Sequence, residues 1–488
     1  MHNRKYNILF AAAEVVPFAK TGGLADVAGS LPKALIDMGH DVRIVMPKYK
    51  KVTGETQYVC DFPVQFDWRK ETCVVRQAYI DSAADYDAKR VPVYFIDNYH
   101  YFDREYLYCY YDEAERFAFF CRAVIDMLPK IGFKPDIIHC NDWHTGPVCM
   151  LLNEQYKHEQ FYKDIASVYT VHNLEYQGNY PPDTVKLFNL NPGIFTSEKM
   201  EFFGTFSFMK AGLLYADIIN TVSETYAREI QTQEYGERFD GLLRKRKNDL
   251  FGIVNGISYD EFNPMTDSRI FANYSVDDMS GKSVNKAGLQ REIGLSERNV
   301  PLMGIVSRLT KQKGIDLVIE KIDEIMAYDV QFVILGSGDD YYEEFFKNLQ
   351  QKYPEKVGTY IGFNEILAQK IYAGCDIFLM PSKFEPCGLG QLISLRYGSV
   401  PIVRATGGLE DTIINFDIDT EEGNGFTFKE YSADSFMQAL QSAIILYELN
   451  PNKWMQLVRK GMGKDFSWHT SAEKYDGIYR LAIEKNKW

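Results

Sequence analysis

The sequence contains no apolar run long enough to cross a membrane. The run Ile8–Ala13 is ended by Glu14, whereas a membrane helix needs about 18–20 consecutive apolar residues. The same early end argues against a secretory signal peptide. We therefore expect a cytoplasmic protein that has no membrane partner.

An excess of positive charge is also missing. The chain has 67 Asp and Glu residues against 54 Lys and Arg residues, which gives a net charge of −13. Because nucleic acid is held mainly by Lys and Arg, this balance argues against a nucleic-acid partner. A small anionic ligand is not excluded, since it needs only a local cluster of cations.

Motifs for disulfides, metals and common nucleotide cofactors are absent too. Eight cysteines are scattered without a Cys-x-x-Cys pair, which is typical of reduced thiols in a cytosolic protein. The His and Cys residues at 139–144 match no usual zinc spacing, so no metal site is predicted. Neither the dinucleotide fingerprint nor the nucleoside-triphosphate loop occurs.

What the chain does contain is a regular alternation of short apolar runs and helical patterns over 488 residues, more than one core usually holds. This alternation predicts an α/β fold of two doubly wound parallel-sheet (Rossmann-like) domains. A polar stretch at about 266–300 predicts the join, which gives domains 1–265 and 266–470 and a final helix within 471–488. Ligands of such folds bind beyond the carboxyl ends of the strands, so we expect a cleft between the domains.

A glycine-rich segment, Lys20–Val27, follows the first predicted strand. Gly22 and Gly23 allow a ligand to approach the backbone closely, and the helix that starts there offers free N–H groups. Lys20 adds a full positive charge. These features favour an anion site, although a glycine turn with a solvated lysine explains them equally well.

Two segments of the second half also favour an anion site at a strand-to-helix turn. Arg308 and Lys313 lie with a third cation in one strand-to-helix loop, which favours a bound anion such as a diphosphate. A charged surface loop is the alternative. The segment Thr406-Gly407-Gly408 also follows a strand and opens a helix, which suits another anion.

Glu385 is the most suggestive acid. It follows a predicted strand and lies between Pro381 and Gly388 in a segment that prolines stiffen. A carboxylate fixed there can accept hydrogen bonds from sugar hydroxyls or offset positive charge that develops on a sugar ring. Cys387 lacks a neighbouring base, so we interpret it as a packed thiol rather than a nucleophile.

Polar residues also follow two strands of the first half. Asp142 follows one strand and His172 follows another, and Trp143 supplies an apolar face, a combination that suits sugar recognition.

The segment 99–111 contains seven aromatic residues around Asp103 and Arg104. Aromatic rings stack on sugars, so this segment is predicted to be a surface for a carbohydrate acceptor.

In this order, the motifs resemble those of the bacterial glycogen synthases, the ADP-glucose-using starch/glycogen synthase family of retaining GT-B glycosyltransferases. The resemblance runs nearly end to end. The segments that carry it are Ala13-Glu14, Lys20–Val27, Ala114–Phe120, His139–His144, Thr170–Asn173, Lys210–Leu213, Asn255–Ile257, Ser307–Leu309, Phe384–Leu389 and Thr406–Leu409.

The resemblance implies a fold and a reaction. The family has two doubly wound domains that face a deep cleft, and it needs neither a metal nor a cofactor. The implied reaction moves glucose from ADP-glucose to the nonreducing end of an α-1,4-glucan such as glycogen or maltodextrin, with retention at the anomeric carbon. ADP-glucose and the glucan are thus the implied partners, and the oligomeric state stays open.

The resemblance also implies roles for single residues. Glu385 would bind the donor sugar, His172 would lie against the glucose, and Asp142 would order the sugar or the acceptor. The residues implied to hold the diphosphate are Lys20, Gly22, Gly23, Arg308 and Lys313. The residues implied to make further contacts with the nucleotide sugar are Asn255, Gly388, Leu389, Thr406, Gly407 and Gly408.

Other functions stay open. A UDP-glucose-using glucan synthase would share these motifs, since the donor base is assigned by resemblance alone. A nucleotide-sugar epimerase would not need both the Thr-Gly-Gly and the Glu-Pro-Cys-Gly loops, and a glucan phosphorylase needs a pyridoxal-phosphate lysine and usually a longer chain. A non-catalytic glucan-binding protein predicts losses among Lys20, Arg308, Lys313 and Glu385, and all four are present.

Overall fold

The computed structural model describes residues 4–80 and 90–487. The chain forms two compact units. The first unit contains the residues up to Gly256 together with those from Trp468 onward, and the second unit contains Ile257–Ser467.

The first unit contains a nine-stranded sheet and a separate three-stranded sheet. Its strands are β1 (Asn7–Ala11), β2 (Asp41–Pro47), β3 (Gln57–Phe66), β4 (Arg69–Ile80), β5 (Val91–Asp97), β6 (Ile137–Asn141), β7 (Ala166–Val171), β8 (Asn179–Tyr180), β9 (Glu201–Phe202), β10 (Thr205–Ser207), β11 (Ile218–Thr221) and β12 (Leu250–Gly252). The large sheet has the order β12-β11-β7-β6-β1-β2-β5-β4-β3, and β8-β10-β9 form the small antiparallel sheet.

Seven neighbouring strands of the large sheet, from β12 to β5, run parallel, whereas β4 and β3 form an antiparallel edge. The central strands β6 and β7 are buried at every position, as expected where helices cover both faces of a parallel sheet. The helices that precede the second unit are α1 (Gly23–Asp37), α2 (Tyr99–Phe102), α3 (Glu113–Lys130), α4 (Gly146–Leu151), α5 (Phe208–Tyr215), α6 (Glu224–Glu229) and α7 (Asp240–Lys245).

The second unit has one six-stranded sheet, parallel throughout, with the order β15-β14-β13-β16-β17-β18. Its strands are β13 (Leu302–Val306), β14 (Gln331–Gly336), β15 (Val357–Ile361), β16 (Ile377–Met380), β17 (Val400–Arg404) and β18 (Phe426–Phe428). Its helices are α8 (Ser280–Glu292), α9 (Ile315–Glu320), α10 (Ile322–Ala327), α11 (Asp340–Lys352), α12 (Glu365–Gly374), α13 (Gly390–Arg396), α14 (Gly407–Thr412), α15 (Ala433–Leu449) and α16 (Pro451–Met462). The predicted fold class, two parallel-sheet α/β units, is confirmed.

The predicted join at 266–300 is wrong, because this stretch belongs to the second unit. It carries α8, whose Leu289 is buried in a cluster with Ile371 of α12. The division comes earlier, after Gly256 rather than after residue 265, since the Ile257 N–H already donates to the Phe466 carbonyl at 2.9 Å within the second unit.

The chain ends in α17 (Trp468–Lys485), which starts slightly before the predicted residue 471 and packs in the first unit. The Tyr479 hydroxyl lies 2.9 Å from Nδ1 of His139, and the Tyr475 hydroxyl accepts a 3.0 Å hydrogen bond from Asn220. His139 is therefore a buried histidine of the fold, and burial lowers its pKa to about 3. Among the described residues, none of the helices is long and apolar enough to span a membrane.

The substitution Tyr479→Phe is expected to lower the free energy of unfolding by about 1–3 kcal/mol, because it leaves a buried ring nitrogen of His139 without its partner. Urea titration of the full chain measures this change. Tyr111→Phe serves as the control, since Tyr111 is 96% exposed. Equal midpoints for the two variants would contradict the role given to this hydrogen bond.

Candidate functional site

Three polar residues of the first unit follow neighbouring strands. Glu14 comes after β1, Asp142 after β6 and His172 after β7, and these strands are adjacent and parallel. Because the carboxyl ends of parallel strands meet at one edge of the sheet, the fold brings these residues together. The contact is direct between the last two, since Oδ1 of Asp142 accepts a 2.7 Å hydrogen bond from the His172 N–H.

Asp142 occupies an unusual backbone position. Its φ is +57°, in the left-handed region that is uncommon for a residue other than glycine. Burial raises the pKa of its carboxyl to about 7, the amides of His172 and Asn173 oppose this shift, and the charge of Glu14 adds to it. Asp142 can therefore hold or release a proton near neutral pH.

His172 is held as a neutral ring. Its Nε2 lies 3.0 Å from Oδ1 of Asn141, whose own amide group donates to the Ala11 carbonyl. Oδ1 of Asn141 can only accept, so Nε2 of His172 carries the proton. Burial lowers the pKa of His172 to about 3. The remaining ring nitrogen, Nδ1, is thus an acceptor suited to a sugar hydroxyl.

The glycine-rich loop leads into α1. An added Cβ at Gly22 or Gly23 would meet no atom within 4 Å, so neither glycine is required by packing and the space in front of them is open. Gly23 is the first residue of α1, where helix N–H groups lack partners within the helix. The Gly22 N–H is already engaged, since it donates to Glu14 at 3.2 Å. Lys20 pairs with Asp26 at 2.7 Å.

The second unit contains a cavity of about 240 Å³ at the carboxyl ends of β13 and β16. Five of the predicted site residues line it. They are Arg308, Lys313, Glu385, Gly388 and Leu389.

Glu385 and Lys313 form the central pair of this cavity. Oε2 of Glu385 lies 2.6 Å from Nζ of Lys313 and accepts a second hydrogen bond, of 3.1 Å, from Ser382. Glu385 is only 7% exposed, so its carboxylate is fixed in place. Arg308, by contrast, is exposed and donates to Gln312. The cavity therefore presents a held carboxylate beside two cations.

The segment Thr406-Gly407-Gly408 supports the Glu385 loop. The Gly408 N–H donates to the carbonyls of Glu385 and Pro386, each at 3.1 Å. An added Cβ would lie 2.0 Å from the Glu385 carbonyl oxygen at Gly407, and 2.1 Å from the Cys387 carbonyl oxygen at Gly408. The Gly408 amide is thus used within the protein, and the anion site predicted at this segment stays a prediction.

Gly388 and Leu389 complete the turn into α13. Gly388 has a φ of +73°, and a Cβ there would lie 2.5 Å from Oε1 of Gln391. Gln391 in turn donates to the Cys387 carbonyl at 3.1 Å. Only glycine fits this turn, which keeps the backbone at the cavity edge in one conformation.

Arg404 is a site residue that sequence reasoning missed. It is buried, its Nε donates to the Ser382 carbonyl at 3.0 Å, and it also donates to the Lys383 carbonyl. These contacts fix the backbone just before Glu385. The available signal was a charged residue at the end of the buried strand β17.

Asp103, Arg104 and Trp143 are predicted to contact the acceptor, but the side chains of Arg104 and Trp143 are engaged within the protein. Arg104 makes two 2.6 Å contacts with Asp112, so its guanidinium organises the loop rather than an acceptor. Trp143 is 8% exposed and stacks on His144 at 3.8 Å between ring centroids, so it offers no free face. Of the three, Asp103 alone is exposed.

Asn255 is buried at the end of the first unit, and its Oδ1 has no hydrogen-bond partner among the described residues.

Over residues 4–80 and 90–487, no group of three or more His, Cys, Asp or Glu residues is arranged to hold a metal ion.

Two family models match the chain. The model described as the starch synthase catalytic domain matches residues 7–245, and the model described as glycosyl transferases group 1 matches residues 288–456.

Curated and solved proteins are similar over nearly the whole chain. A glycogen synthase of Desulforudis audaxviator is 53% identical over 99% of this chain and 98% of its own length. A glycogen synthase of Geobacillus stearothermophilus is 49% identical over 98% of both chains. The catalytic domain of starch synthase IV from Arabidopsis thaliana, solved with ADP and acarbose, superposes with a TM-score of 0.91 at 34% identity, covering 99% of this chain and 100% of that one.

Asp142 is expected to make stability depend on pH. In the unfolded chain an Asp titrates near about 4, so between about 4 and 7 the folded state holds a proton that the unfolded state has lost. The free energy of unfolding from this group therefore falls as pH rises through that window. In the Asp142→Asn variant this side chain does not titrate, so the melting temperature of the variant minus that of the wild type should become more positive from pH 4 to pH 7. A constant gap would contradict the raised pKa.

The two Thr-Gly-Gly segments are expected to respond differently to alanine. Gly408→Ala forces a Cβ onto the Cys387 carbonyl and should cost about 1–3 kcal/mol of unfolding free energy, as overpacking does. Gly23→Ala, its matched control, meets no atom and should leave unfolding unchanged. Denaturant titrations of both variants test this difference, and equal losses would refute it.

Proposed function

This chain belongs to the glycogen (starch) synthase family of glycosyltransferases, and we propose that it transfers glucose from ADP-glucose to the nonreducing end of an α-1,4-glucan with retention of anomeric configuration. The family expected from the motifs is thereby confirmed, as is a glycosyltransferase activity. The single observation that carries the finer proposal is the Lys313–Glu385 pair in the second unit's cavity, with Arg308 beside it.

The cavity suits the breaking of a glycosyl–phosphate bond. As that bond breaks, negative charge grows on the departing nucleoside diphosphate, and fixed cations lower the barrier by stabilising it. Lys313 is already oriented by its contact with Glu385, and Arg308 supplies a second charge. Positive charge grows on the sugar ring at the same time, and the fixed carboxylate of Glu385 is suited to offset it.

The first unit offers groups for the sugar and for phosphate. His172 presents a neutral acceptor nitrogen, and Asp142 presents a carboxyl that can exchange a proton near pH 7. The amino end of α1, with Gly23 as its first residue, and the neighbouring Lys20 are suited to phosphate oxygens. We propose these contacts for glucose and for the diphosphate respectively.

We propose that the reaction uses no metal and no cofactor, since Lys313 and Arg308 supply the charge that a metal ion provides in other transferases. A reducing compartment, the cytoplasm, is proposed because seven cysteines are unbridged thiols, and one of them, Cys109, is exposed. The seven are Cys60, Cys73, Cys109, Cys121, Cys140, Cys149 and Cys375.

The assay measures ADP or UDP release from ADP-glucose or UDP-glucose with glycogen as primer. We expect release chiefly from ADP-glucose, and NMR of the product should show an α linkage. No release from either donor would refute the transfer proposal, and release chiefly from UDP-glucose would overturn the choice of donor.

Glu385→Gln and Lys313→Ala are expected to lower kcat by about 100- to 1,000-fold, the usual loss when one charge-stabilising group is removed. Lys347→Ala is the control, because Lys347 is an exposed residue of α11 away from the cavity lining. Near-normal turnover in both site variants would remove the assignment of this cavity.

A further inference from the structure

Glu14 makes more contacts than any role given to it so far explains. It is 4% exposed. One carboxylate oxygen, Oε2, accepts from the N–H groups of Thr21 and Gly22, and the other, Oε1, accepts from the Thr21 hydroxyl at 2.6 Å and the Tyr108 hydroxyl at 2.7 Å. A carboxylate has about four acceptor positions, so this one is saturated.

Three of these contacts fix the glycine-rich loop. An added Cβ at Gly22 or Gly23 would meet no atom within 4 Å, so packing against these two glycines does not hold the loop. Two successive amides directed at one buried oxygen define the path of the backbone immediately before α1. The path of this backbone determines the direction of the exposed N–H groups at the start of α1, and it also determines the position of Lys20.

The fourth contact comes from the aromatic segment 99–111. Tyr108 is itself held on both sides, because the buried Arg116 donates to the Leu107 carbonyl at 3.1 Å and the Tyr108 ring packs 4.8 Å from the ring of His144. Glu14 thus joins the Tyr108 side chain to the loop Lys20–Gly23.

We propose that Glu14 is a positioning residue that couples Tyr108 to the loop Lys20–Gly23 and so sets the affinity of this loop for the nucleotide diphosphate. The inference rests on the proposed function, since it names what the loop binds. Glu14 itself is buried within the first unit.

Glu14→Gln tests the proposal with little change in shape. An amide group presents one oxygen and one NH₂ and carries no charge, so the hydrogen bonds from the Thr21 and Gly22 N–H groups lose their charge assistance, and the Thr21 and Tyr108 hydroxyls must turn from donors into acceptors of the NH₂. Because small displacements at a binding loop cost up to about 100-fold, we expect KM for ADP-glucose and the inhibition constant of ADP to rise about tenfold or more. KM for glycogen should stay within about twofold, since the change lies in the donor loop.

Tyr108→Phe keeps the ring and removes only the fourth contact. We expect a smaller rise, roughly threefold, in the same two constants. Tyr341→Phe is the control, because Tyr341 is an exposed tyrosine of the second unit, on α11.

A double-mutant cycle separates coupling from independent effects. The Thr21 and Tyr108 hydroxyls donate to the same oxygen of Glu14, so the effects of Thr21→Val and Tyr108→Phe on KM for ADP-glucose should be non-multiplicative. Multiplicative effects would overturn the coupling.

A purely structural role predicts another pattern. Melting temperature and kcat would then fall together while both KM values stay constant, and this result would overturn the proposal, as would a Glu14→Gln variant with unchanged KM for ADP-glucose. Failure of the proposed function is distinct, because the wild-type chain would then release no nucleotide. Calorimetric titration with ADP still measures the effect of Glu14→Gln in that case, and equal dissociation constants would refute it.

Discussion

A parallel sheet covered on both faces satisfies its backbone groups internally, and this constraint confines polar chemistry to the ends of its strands. In both units the central parallel strands are largely buried, and the charged or polar residues of the candidate site appear one to five positions after those strands end. Glu14 follows β1, Asp142 follows β6, and Glu385 lies just beyond β16. The site residues of each unit are therefore neighbours because their strands are neighbours, although they lie far apart in sequence.

Charges placed at such edges are partly removed from water, which is costly unless each one is paired or hydrogen-bonded. For Glu385, the contacts with Lys313 and Ser382 offset the loss of hydration. For Arg404, hydrogen bonds to backbone carbonyls of the same loop do so. These partners also restrict motion, because a buried ion that leaves its partners would stand unsatisfied. The contacts that make burial tolerable are thus the contacts that fix each group before substrate arrives, which is what electrostatic catalysis requires.

The sequence was sufficient for the α/β fold class and for several polar residues at the carboxyl ends of strands, because both follow from local periodicity and residue type. It predicted the cavity residues Arg308, Lys313 and Glu385, although the resemblance was needed to give them roles. It was misleading where polarity was read as exposure. The stretch 266–300 is polar on average, yet α8 buries Leu289, and Arg104 appears available in sequence but is bound by Asp112.

Pairings across the chain could not be predicted, since no local pattern encodes them. Arg404 supports the Glu385 loop only because β16 and β17 are adjacent in the sheet, and Tyr108 reaches Glu14 across 94 residues. Trp143 shows the same limit, because its aromatic face suits a sugar in isolation but is covered by His144 in the fold.

The tripeptide Thr-Gly-Gly shows how far identical local sequence can differ in use. At 21–23 and at 406–408 it follows a buried strand and opens a helix, so periodicity treats the two copies alike. In the first copy the glycines face open space and a buried glutamate side chain, Glu14, holds the amides. In the second copy the glycines are packed against carbonyl oxygens, and the amide of Gly408 holds the backbone of Glu385. The direction of support is reversed, with a carboxylate positioning a glycine loop in one unit and a glycine loop positioning a carboxylate in the other. A glycine pair at a strand end therefore indicates close backbone approach, and only the fold shows whether the approaching group is a ligand or the protein itself.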